Sequence, residues 1–472
     1  MTSRELPQDR LATADEEGKR VWLYPSDVKG RYRTRRKWVS AALINFFLFL
    51  PWVRIGGHQA VLLDIPQRRF AILGITFWAH DAPMLLFVAG GAVLTLAFVT
   101  AVWGRVWCGW ACPQTVFIVS VFRRIERWIE GDAVERRRRD EGPATPERAI
   151  KRTIKWSLFT LVSLIISHSF LAYFVGTQKL AQMITSSPVE NPGSFLIMAF
   201  VTGLILFDFG WFREQFCTIV CPYGRFQSVL MDDQSTAVVY DARRGEPRRG
   251  IATPDQPAGD CVNCYKCVQV CPTGIDIRRG AQQLECIACT ACMDACDDVM
   301  ARLKKPQGLI RYGSVAEIQG KPTGRGARPW AYGALIVACI TGLTLTVRDR
   351  TAITVSLIRA AEAPYQVIAG ENGAPEVINH YKLELRNQSF DRQAIEILVP
   401  KEYQDKGVKI VISNHADGIE GGASERADLF IRFPKTLLNL GKGEMDLDFS
   451  AKSENKQESV LKKEVRLVGP FI

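Results

Sequence analysis

The chain has 472 residues, room for roughly two to four folding units at the usual ~100–200 residues each. A mean hydropathy of +0.00 with 47% hydrophobic residues averages long apolar blocks against very polar ones, which excludes both a disordered chain and an ordinary single-domain soluble enzyme. Lys and Arg number 60 against 49 Asp and Glu, a net charge of +11, and the odd count of 13 cysteines argues against a simple disulfide framework.

Residues 1–37 are polar, carry ten Lys and Arg including Arg31, Arg33, Arg35, Arg36 and Lys37, and lack the apolar region of a cleavable signal peptide. Five apolar stretches then approach or reach the ~20 residues that a membrane-spanning helix needs. They are 38–55, 83–103, 156–175, 194–212 and 329–347; the first is the shortest and is interrupted by Pro51. Trp38, Trp52, Trp103, Trp156, Trp211 and Trp330 stand near their ends, where amphipathic rings favour the headgroup region. Basic residues alternate between the intervening segments. After the ten of 1–37 come two in 56–82 (Arg68, Arg69), twelve in 104–155, one in 176–193 (Lys179) and sixteen in 213–328. Positive residues are retained on the cytoplasmic side, so 1–37, 104–155 and 213–328 are predicted inside and everything after the fifth span outside. The run Arg136 to Arg139 follows the same bias, and no nucleic acid is expected as a partner.

The second stretch is followed by Trp107-Cys108-Gly109-Trp110-Ala111-Cys112-Pro113, the fourth by Phe216-Cys217-Thr218-Ile219-Val220-Cys221-Pro222. Both are C-x3-C-P, and both follow a span predicted to run inwards. Residues i and i+4 of a helical turn share a face, so each pair can present two thiolates to one metal ion or redox partner, with the proline ending or kinking the helix. One such cysteine is most simply a small packed side chain; repetition of the whole unit argues for chemistry. Soft thiolates suit Cu(I), zinc or iron–sulfur, in one four-thiolate site or two separate ones.

Between the fourth and fifth stretches stand Cys261, Cys264, Cys267 and Cys271-Pro272, then Cys286, Cys289, Cys292 and Cys296, each quartet spaced C-x2-C-x2-C-x3-C. In that spacing three cysteines of one run hold one cubane and the fourth ligates the other. One 4Fe–4S cluster is therefore predicted on Cys261, Cys264, Cys267 and Cys296, the second on Cys286, Cys289, Cys292 and Cys271. Zinc sites use two pairs of ligands rather than interleaved quartets, and disulfides are disfavoured in a reducing cytoplasm. Asp297 and Asp298 add negative charge expected to lower the nearby potential.

Residues 349–472 change character. Segments beginning at His380 and near 394–399, 428–433, 445–449 and 463–467 alternate polar and apolar positions, which reads as a small antiparallel sandwich of immunoglobulin-like size. The five histidines form no conventional catalytic set: His58 and His80 fall in the first external loop, His168 within the third span, His380 and His415 in the β domain. His168 and Asp208, ionisable residues within spans, call for partners in the bundle. Met84, Met198 and Cys339 read as packing.

The order of these parts resembles the cytochrome c oxidase accessory protein family known as CcoG, FixG or RdxA, over nearly the whole chain from about Tyr24 onward. The membrane half, with its Trp-Cys-Gly-Trp-Ala-Cys-Pro and Cys-Pro-Tyr-Gly-Arg-Phe strings, is also similar to ferredoxins of the NapH and NosR type. The family resemblance implies a membrane-bound iron–sulfur oxidoreductase, a cupric reductase making Cu(I) for copper-site assembly of cbb3-type cytochrome c oxidase. On it Cys108, Cys112, Cys217 and Cys221 are the copper-reducing residues, the eight ferredoxin cysteines are cluster ligands and metal sites, copper is the substrate, and the partners are the oxidase assembly machinery and a copper transporter or chaperone. It also implies an Ig-like C-terminal domain.

The expected architecture is thus a multidomain protein of the bacterial inner membrane. It has a basic cytoplasmic segment (1–37), four transmembrane helices with two C-x3-C-P motifs (38–228) and a cytoplasmic segment (229–328) containing a bacterial-type two-cluster ferredoxin domain (258–300). A fifth transmembrane helix (329–348) and a periplasmic immunoglobulin-like β-sandwich (349–472) complete it, the helices forming a five-helix transmembrane bundle. With no Gly-rich dinucleotide fingerprint in the chain, the electron donor is a partner or quinol. Two alternatives stand beside copper reduction: a NapH- or NosR-like quinol-linked electron-transfer module, and a non-enzymatic oxidase assembly scaffold with structural clusters.

Overall fold

The computed structural model describes residues 13–470 apart from 16, 18, 56–57, 67–68, 74, 79–81, 252, 255–256, 325, 349–350, 352, 362, 370–374, 390–391, 414–417, 440 and 454–455. His80 and His415 lie outside the described residues. The chain divides into two compact units, Met1–Leu62 with Phe87–Thr341, and Leu63–Leu86 with Gly342–Ile472.

In the first unit, helix α1 (Arg31–Phe49) is not capped by the residue before it, Gly30. Its cap comes from far along the chain. The Asp294 carboxylate accepts the backbone N–H groups of Tyr32 (3.1 Å) and Arg33 (2.7 Å), setting negative charge on the positive end of the helix dipole. Helix α2 (Ala82–Trp103) stops at Gly104, whose φ of +56° suits glycine and where a Cβ would lie 2.5 Å from the Thr236 carbonyl oxygen. The short α3 (Val106–Trp110) and α4 (Pro113–Phe117) follow, and the chain continues helically into α5 (Arg123–Glu130). Helix α6 (Pro146–Val175) starts with Thr145 accepting from the Arg148 N–H and with Pro146 in its first turn, a strong local start signal. Helix α7 (Pro192–Phe207) likewise opens on proline, and α8 (Pro222–Leu230) follows the second cysteine pair. Phe122 packs on Phe159 (4.8 Å between centroids) and on Phe209 (5.3 Å), tying the segment after α4 to the third and fourth apolar stretches. Ser167 and Thr202 share a buried hydroxyl contact of 2.7 Å between α6 and α7.

Four helices, not five, are long and apolar enough to cross a bilayer among the described residues: Met84–Trp103, Pro146–Val175, Pro192–Phe212 and Ala327–Arg348. They mark a membrane protein. The first expected span falls short because α1 begins in the basic cluster, leaving Trp38 to Phe49, about 18 Å of apolar helix at 1.5 Å per residue. A bilayer core is about 30 Å thick. Both ends of α1 are nonetheless tied. Buried Arg36 donates to the Cys289 carbonyl (2.6 Å), and beyond Phe49 the Gln59 amide donates to the Ala172 carbonyl (3.0 Å) at the far end of α6, while Tyr173 donates to the Phe47 carbonyl (2.8 Å).

The second unit carries the sandwich. Strands β3 (Ile353–Arg359), β4 (Gln366–Ala369), β5 (Pro375–Asn387), β7 (Lys409–Ser413) and β8 (Ser424–Pro434) form one sheet, ordered β7-β8-β5-β3 with β4 also on β5. The other is β6-β9-β10, from β6 (Ala394–Leu398), β9 (Lys442–Ser453) and β10 (Lys456–Val468). Strands β1 (Ala237–Tyr240) and β2 (Ile310–Gly313) belong to the first unit. Alternate residues of β5, Val377, Tyr381, Leu383 and Leu385, are buried against Leu429, Ile431 and Phe433 of β8 and Leu447 and Phe449 of β9. Buried Asn379 bridges the sheets by donating to the Val468 carbonyl (2.7 Å) and accepting its N–H (2.8 Å). All five alternating segments read from sequence are strands; β3, β4 and β7 were not among them.

Candidate redox centre

The ferredoxin region is framed by β1 (Ala237–Tyr240) paired antiparallel with β2 (Ile310–Gly313). Its two cysteine runs have the same backbone. Asn263 and Tyr265 of the first take φ +56° and +57°; Ala288 and Thr290, 25 positions later, take +49° and +62°. Left-handed conformations cost about 1–2 kcal/mol for non-glycine residues, so four of them at matched positions mark loops held to a required curvature. Each loop then enters a helix, α9 (Lys266–Gln269) or α10 (Ala291–Arg302).

The curvature encloses two spaces. One is lined by Cys261, Cys264, Cys267 and Cys296; the other by Cys271, Cys286, Cys289 and Cys292, together with Cys267. Apolar neighbours such as Ile310 and Ile277 complete the linings. Both quartets are the interleaved sets read from the spacing. Burial pushes the thiols of Cys267, Cys286 and Cys296 up to about 12, so without a cation these sulfurs stay protonated; a coordinating metal deprotonates them outright. Four thiols around an apolar hollow are the donor set of a 4Fe–4S cluster, and the residues present fit it. Asp297 accepts from the Gly308 N–H (2.8 Å) and faces Arg31 (3.4 Å), and Asp298 pairs with Arg302 (2.9 Å), so each carboxylate stands beside a cation.

The two C-x3-C-P motifs are also built alike. Cys112 N–H donates to the Trp107 carbonyl (2.9 Å) and Cys221 N–H to the Phe216 carbonyl (2.8 Å), five residues back in each case. Cys112 (φ −60°, ψ 126°) and Cys221 (φ −66°, ψ 111°) are then extended residues before a proline-led helix, α4 or α8. The helical i, i+4 reading is corrected here: proline disfavours the helical region for the residue before it, so the second cysteine of each pair stands at a break between helices.

The pairs come together. Gln227 on α8, behind the second motif, is fully buried and donates to the Cys108 sulfur of the first (3.1 Å). The Tyr223 and Thr100 hydroxyls are hydrogen-bonded at the end of α2 (2.6 Å). Burial raises the Cys108 thiol to about 11, and also raises Cys112 and Cys217, with each thiol adding to the others' reluctance to ionise. Cys108, Cys112 and Cys217 are near enough to Cys221 for its charge to act on each of them, and soft sulfur donors of this kind suit a soft cation.

One ferredoxin loop sits on this site. Arg105 donates to the carbonyls of Leu284 and Cys286 (the latter at 3.2 Å) and, at 3.5 Å, to Gly224 of the second motif. Gly109, within α3, lies so close to the loop that a Cβ there would meet the Ala288 carbonyl oxygen at 2.5 Å and the Ile287 oxygen at 2.6 Å. Trp110 Nε1 donates to the Tyr312 hydroxyl on β2 (3.0 Å). Arg105, Gly109, Gln227 and Asp294 escaped sequence reasoning; only Gly109 had a visible signal, a glycine inside a helical turn between two tryptophans.

Of the other candidates, Asp208 is joined to the centre by Gln114, whose amide donates to it (2.8 Å) two residues beyond Cys112. His168 makes a local bond to the Leu164 carbonyl (2.7 Å), His58 sits in a short strand with Gln59, and His380 stacks on Phe430 (4.4 Å) beside Asp428. Met84 is buried, Met198 lies 3.6 Å from the Thr202 hydroxyl, and the Cys339 side chain lies by Gly91 of α2. Arg136 and Arg137 pair with Glu126 (3.0 Å) and Glu141 (2.8 Å).

Three family models match the chain: a 4Fe-4S dicluster domain over 212–315, a 4Fe-4S binding domain over 83–131 and 190–233, and the IG-like fold at the C-terminus of FixG over 343–470. The second falls twice, on the two span-plus-C-x3-C-P repeats. Protein RdxA of Cereibacter sphaeroides is 32% identical over 85% of this chain and 88% of its own length. Nitrogen fixation protein FixG of Rhizobium meliloti is 38% identical over 63% of this chain and 58% of its own, and ferredoxin-type protein NapH of Haemophilus influenzae 22% identical over 61% and 93%.

Proposed function

Because this chain belongs to the FixG/RdxA family of membrane-type iron–sulfur electron-transfer proteins, we propose that it reduces Cu(II) to Cu(I) for copper-site assembly of a cbb3-type cytochrome c oxidase. Cys261, Cys264, Cys267 and Cys296 hold one 4Fe–4S cluster, and Cys286, Cys289, Cys292 and Cys271 the other. When bound, the clusters supply electrons singly, as Cu(II) + e⁻ → Cu(I) requires. Cys108, Cys112, Cys217 and Cys221 form one site that receives copper, where sulfur ligands favour the Cu(I) product.

The observation that carries this reading is the seating of the Cys286 loop on the Cys108 turn. Arg105 holds the loop by its carbonyls, Gly109 lets the backbones touch, and Gln227 orients the Cys108 sulfur. A cluster domain with merely structural cysteines has no need of that contact.

The domain division at residues 37, 228, 328 and 348 belongs to the same proposal, with the ferredoxin and thiol sites cytoplasmic and the Ig-like domain periplasmic. The ties at both ends of α1 support it as a fifth, short crossing. Copper reduced there serves a cytoplasmic pool, with a transporter or chaperone and the oxidase assembly machinery as partners.

The test is anaerobic Cu(II) reduction by the chemically reduced protein, comparing wild type with Cys108→Ala/Cys112→Ala and Cys217→Ala/Cys221→Ala at matched iron and sulfide content. Loss of Cu(I) formation in both variants with clusters intact is expected. Unchanged rates would move a second reading ahead, for which the NapH similarity speaks: a quinol-linked module delivering electrons to a dedicated reductase.

A further inference from the structure

At the charged ends of α6 and the fourth apolar stretch lies a cavity of about 360 Å³ that the redox chemistry does not use. Six cationic side chains line it, Arg136, Arg139, Arg148, Arg152, Lys155 and Arg213, against three carboxylates, Glu126, Glu130 and Asp140. The carboxylates are all engaged: Glu126 by Arg136 and Arg213, Glu130 by Lys155 (2.8 Å), Asp140 by the Tyr24 hydroxyl (2.6 Å). The lining thus keeps an excess of three positive charges. Arg152 is exposed and has no acceptor among the described residues.

A further guanidinium, outside the lining itself, is stacked on two of its aromatic residues. Arg20 lies 3.9 Å from the centroid of the Trp22 ring and 4.8 Å from that of Trp211, two residues that line the cavity, and its Nε and Nη1 are buried with no hydrogen-bond partner. Buried donors of a charged group are costly unless an acceptor arrives, and a guanidinium fork suits a phosphate oxygen pair. The depth of the cavity supplies the rest of the ligand. Lys155 and Trp156 mark the step from the basic start of α6 to its apolar length, and Trp211 stands near the end of Pro192–Phe212. Trp156 lies against Gly210, where a Cβ would meet the ring at 3.1 Å, and Trp22 and Trp211 are 41% and 42% exposed. Tryptophan with arginine at a span end is headgroup depth.

We propose that this cavity binds the phosphodiester headgroup of an anionic phospholipid, with the acyl chains running along α6 and the fourth apolar stretch. The ligand chemistry is a phosphate ester, and its source is the bilayer rather than solution.

The test titrates the full-length, cluster-loaded protein in neutral detergent with phosphatidylglycerol, phosphatidylcholine or inorganic phosphate, reading tryptophan emission and thermal midpoint. Phosphatidylglycerol is expected to shift the emission and raise the midpoint, phosphatidylcholine to do neither. Arg152→Gln, at an exposed and unpaired site, should weaken the phosphatidylglycerol response about fivefold, near what one cation contributes at an anionic surface; Arg20→Gln should weaken it further. An equal response to inorganic phosphate would overturn the lipid assignment in favour of a soluble anion. An unchanged titration in Arg152→Gln, or equal effects of the two lipids, would overturn the site itself.

Discussion

A methyl group on Gly109 would lie 2.5 Å from the Ala288 oxygen and 2.6 Å from the Ile287 oxygen, both backbone atoms that cannot swing aside. Gly109→Val should therefore push the Cys286 loop off the C-x3-C-P turn at a cost of about 1–3 kcal/mol, typical of overpacking. Iron content is expected to stay near wild type while the rate of Cu(II) reduction falls; equal rates in stopped-flow would show that the contact is not on the electron path. Glu126 is a second residue with a defined consequence. Burial alone would raise its carboxyl, but Arg213 (Nη1 to Oε2, 3.1 Å), Arg136 and Lys155 hold it down at about 2. A depressed carboxyl stabilises the fold fully above its unfolded value of about 4.3 and loses that contribution as pH falls towards the folded value. Acid unfolding in detergent should thus be steepest between about pH 4.5 and 2, and Glu126→Gln should flatten it. Glu126→Ala, which strands Arg213, should destabilise by about 3–5 kcal/mol.

The matched elements make sharper demands than single contacts. Ala288 and Asn263 curve equivalent loops through left-handed conformations, yet only Ala288 is also buried against the thiol site. In Ala288→Gly the relief of ~1 kcal/mol or more of left-handed strain is offset by loss of a buried methyl worth ~0.8 kcal/mol, so the change should be near neutral. Ala288→Val adds a β-branched side chain that neither the conformation nor the packing admits, and cluster assembly should fail. Visible cluster absorbance during thermal unfolding distinguishes the two, and a stable, fully loaded Ala288→Val would show that the curvature is not required. Much of this level is legible in sequence, because proline after Cys112 and Cys221, proline at the heads of α6 and α7, and the spacing of each cysteine run act over one or two turns. The first expected span is the instructive exception. Its apolar length was counted through Pro51, whereas the helix starts in the basic cluster, and Asp294, 261 residues beyond Arg33, is what anchors that start.

For the whole molecule, the two compact units have separate cores, and their stabilities should separate. Leu383→Ala, fully buried in the sandwich, should destabilise the C-terminal unit by about 2–5 kcal/mol and leave cluster absorbance and Cu(II) reduction as they are. A single transition shared by both units in calorimetry of the full chain would contradict this. By itself the sequence determined the local chemistry: interleaved cluster quartets, repeated cysteine pairs, apolar helices and an alternating β domain, all set by spacings within reach of one loop or one helix. Only the tertiary structure decided that Cys108 and Cys217, 109 positions apart, come near enough to act on each other's charge, and that the Cys286 loop rather than the Cys261 loop faces the Cys108 turn. The two loops share a spacing and a backbone, so nothing within them distinguishes their roles. The distinction lies in Arg105, Gly109 and Arg36, whose side chains or bare backbone meet one loop alone, and such contacts exist only once the chain has folded back on itself.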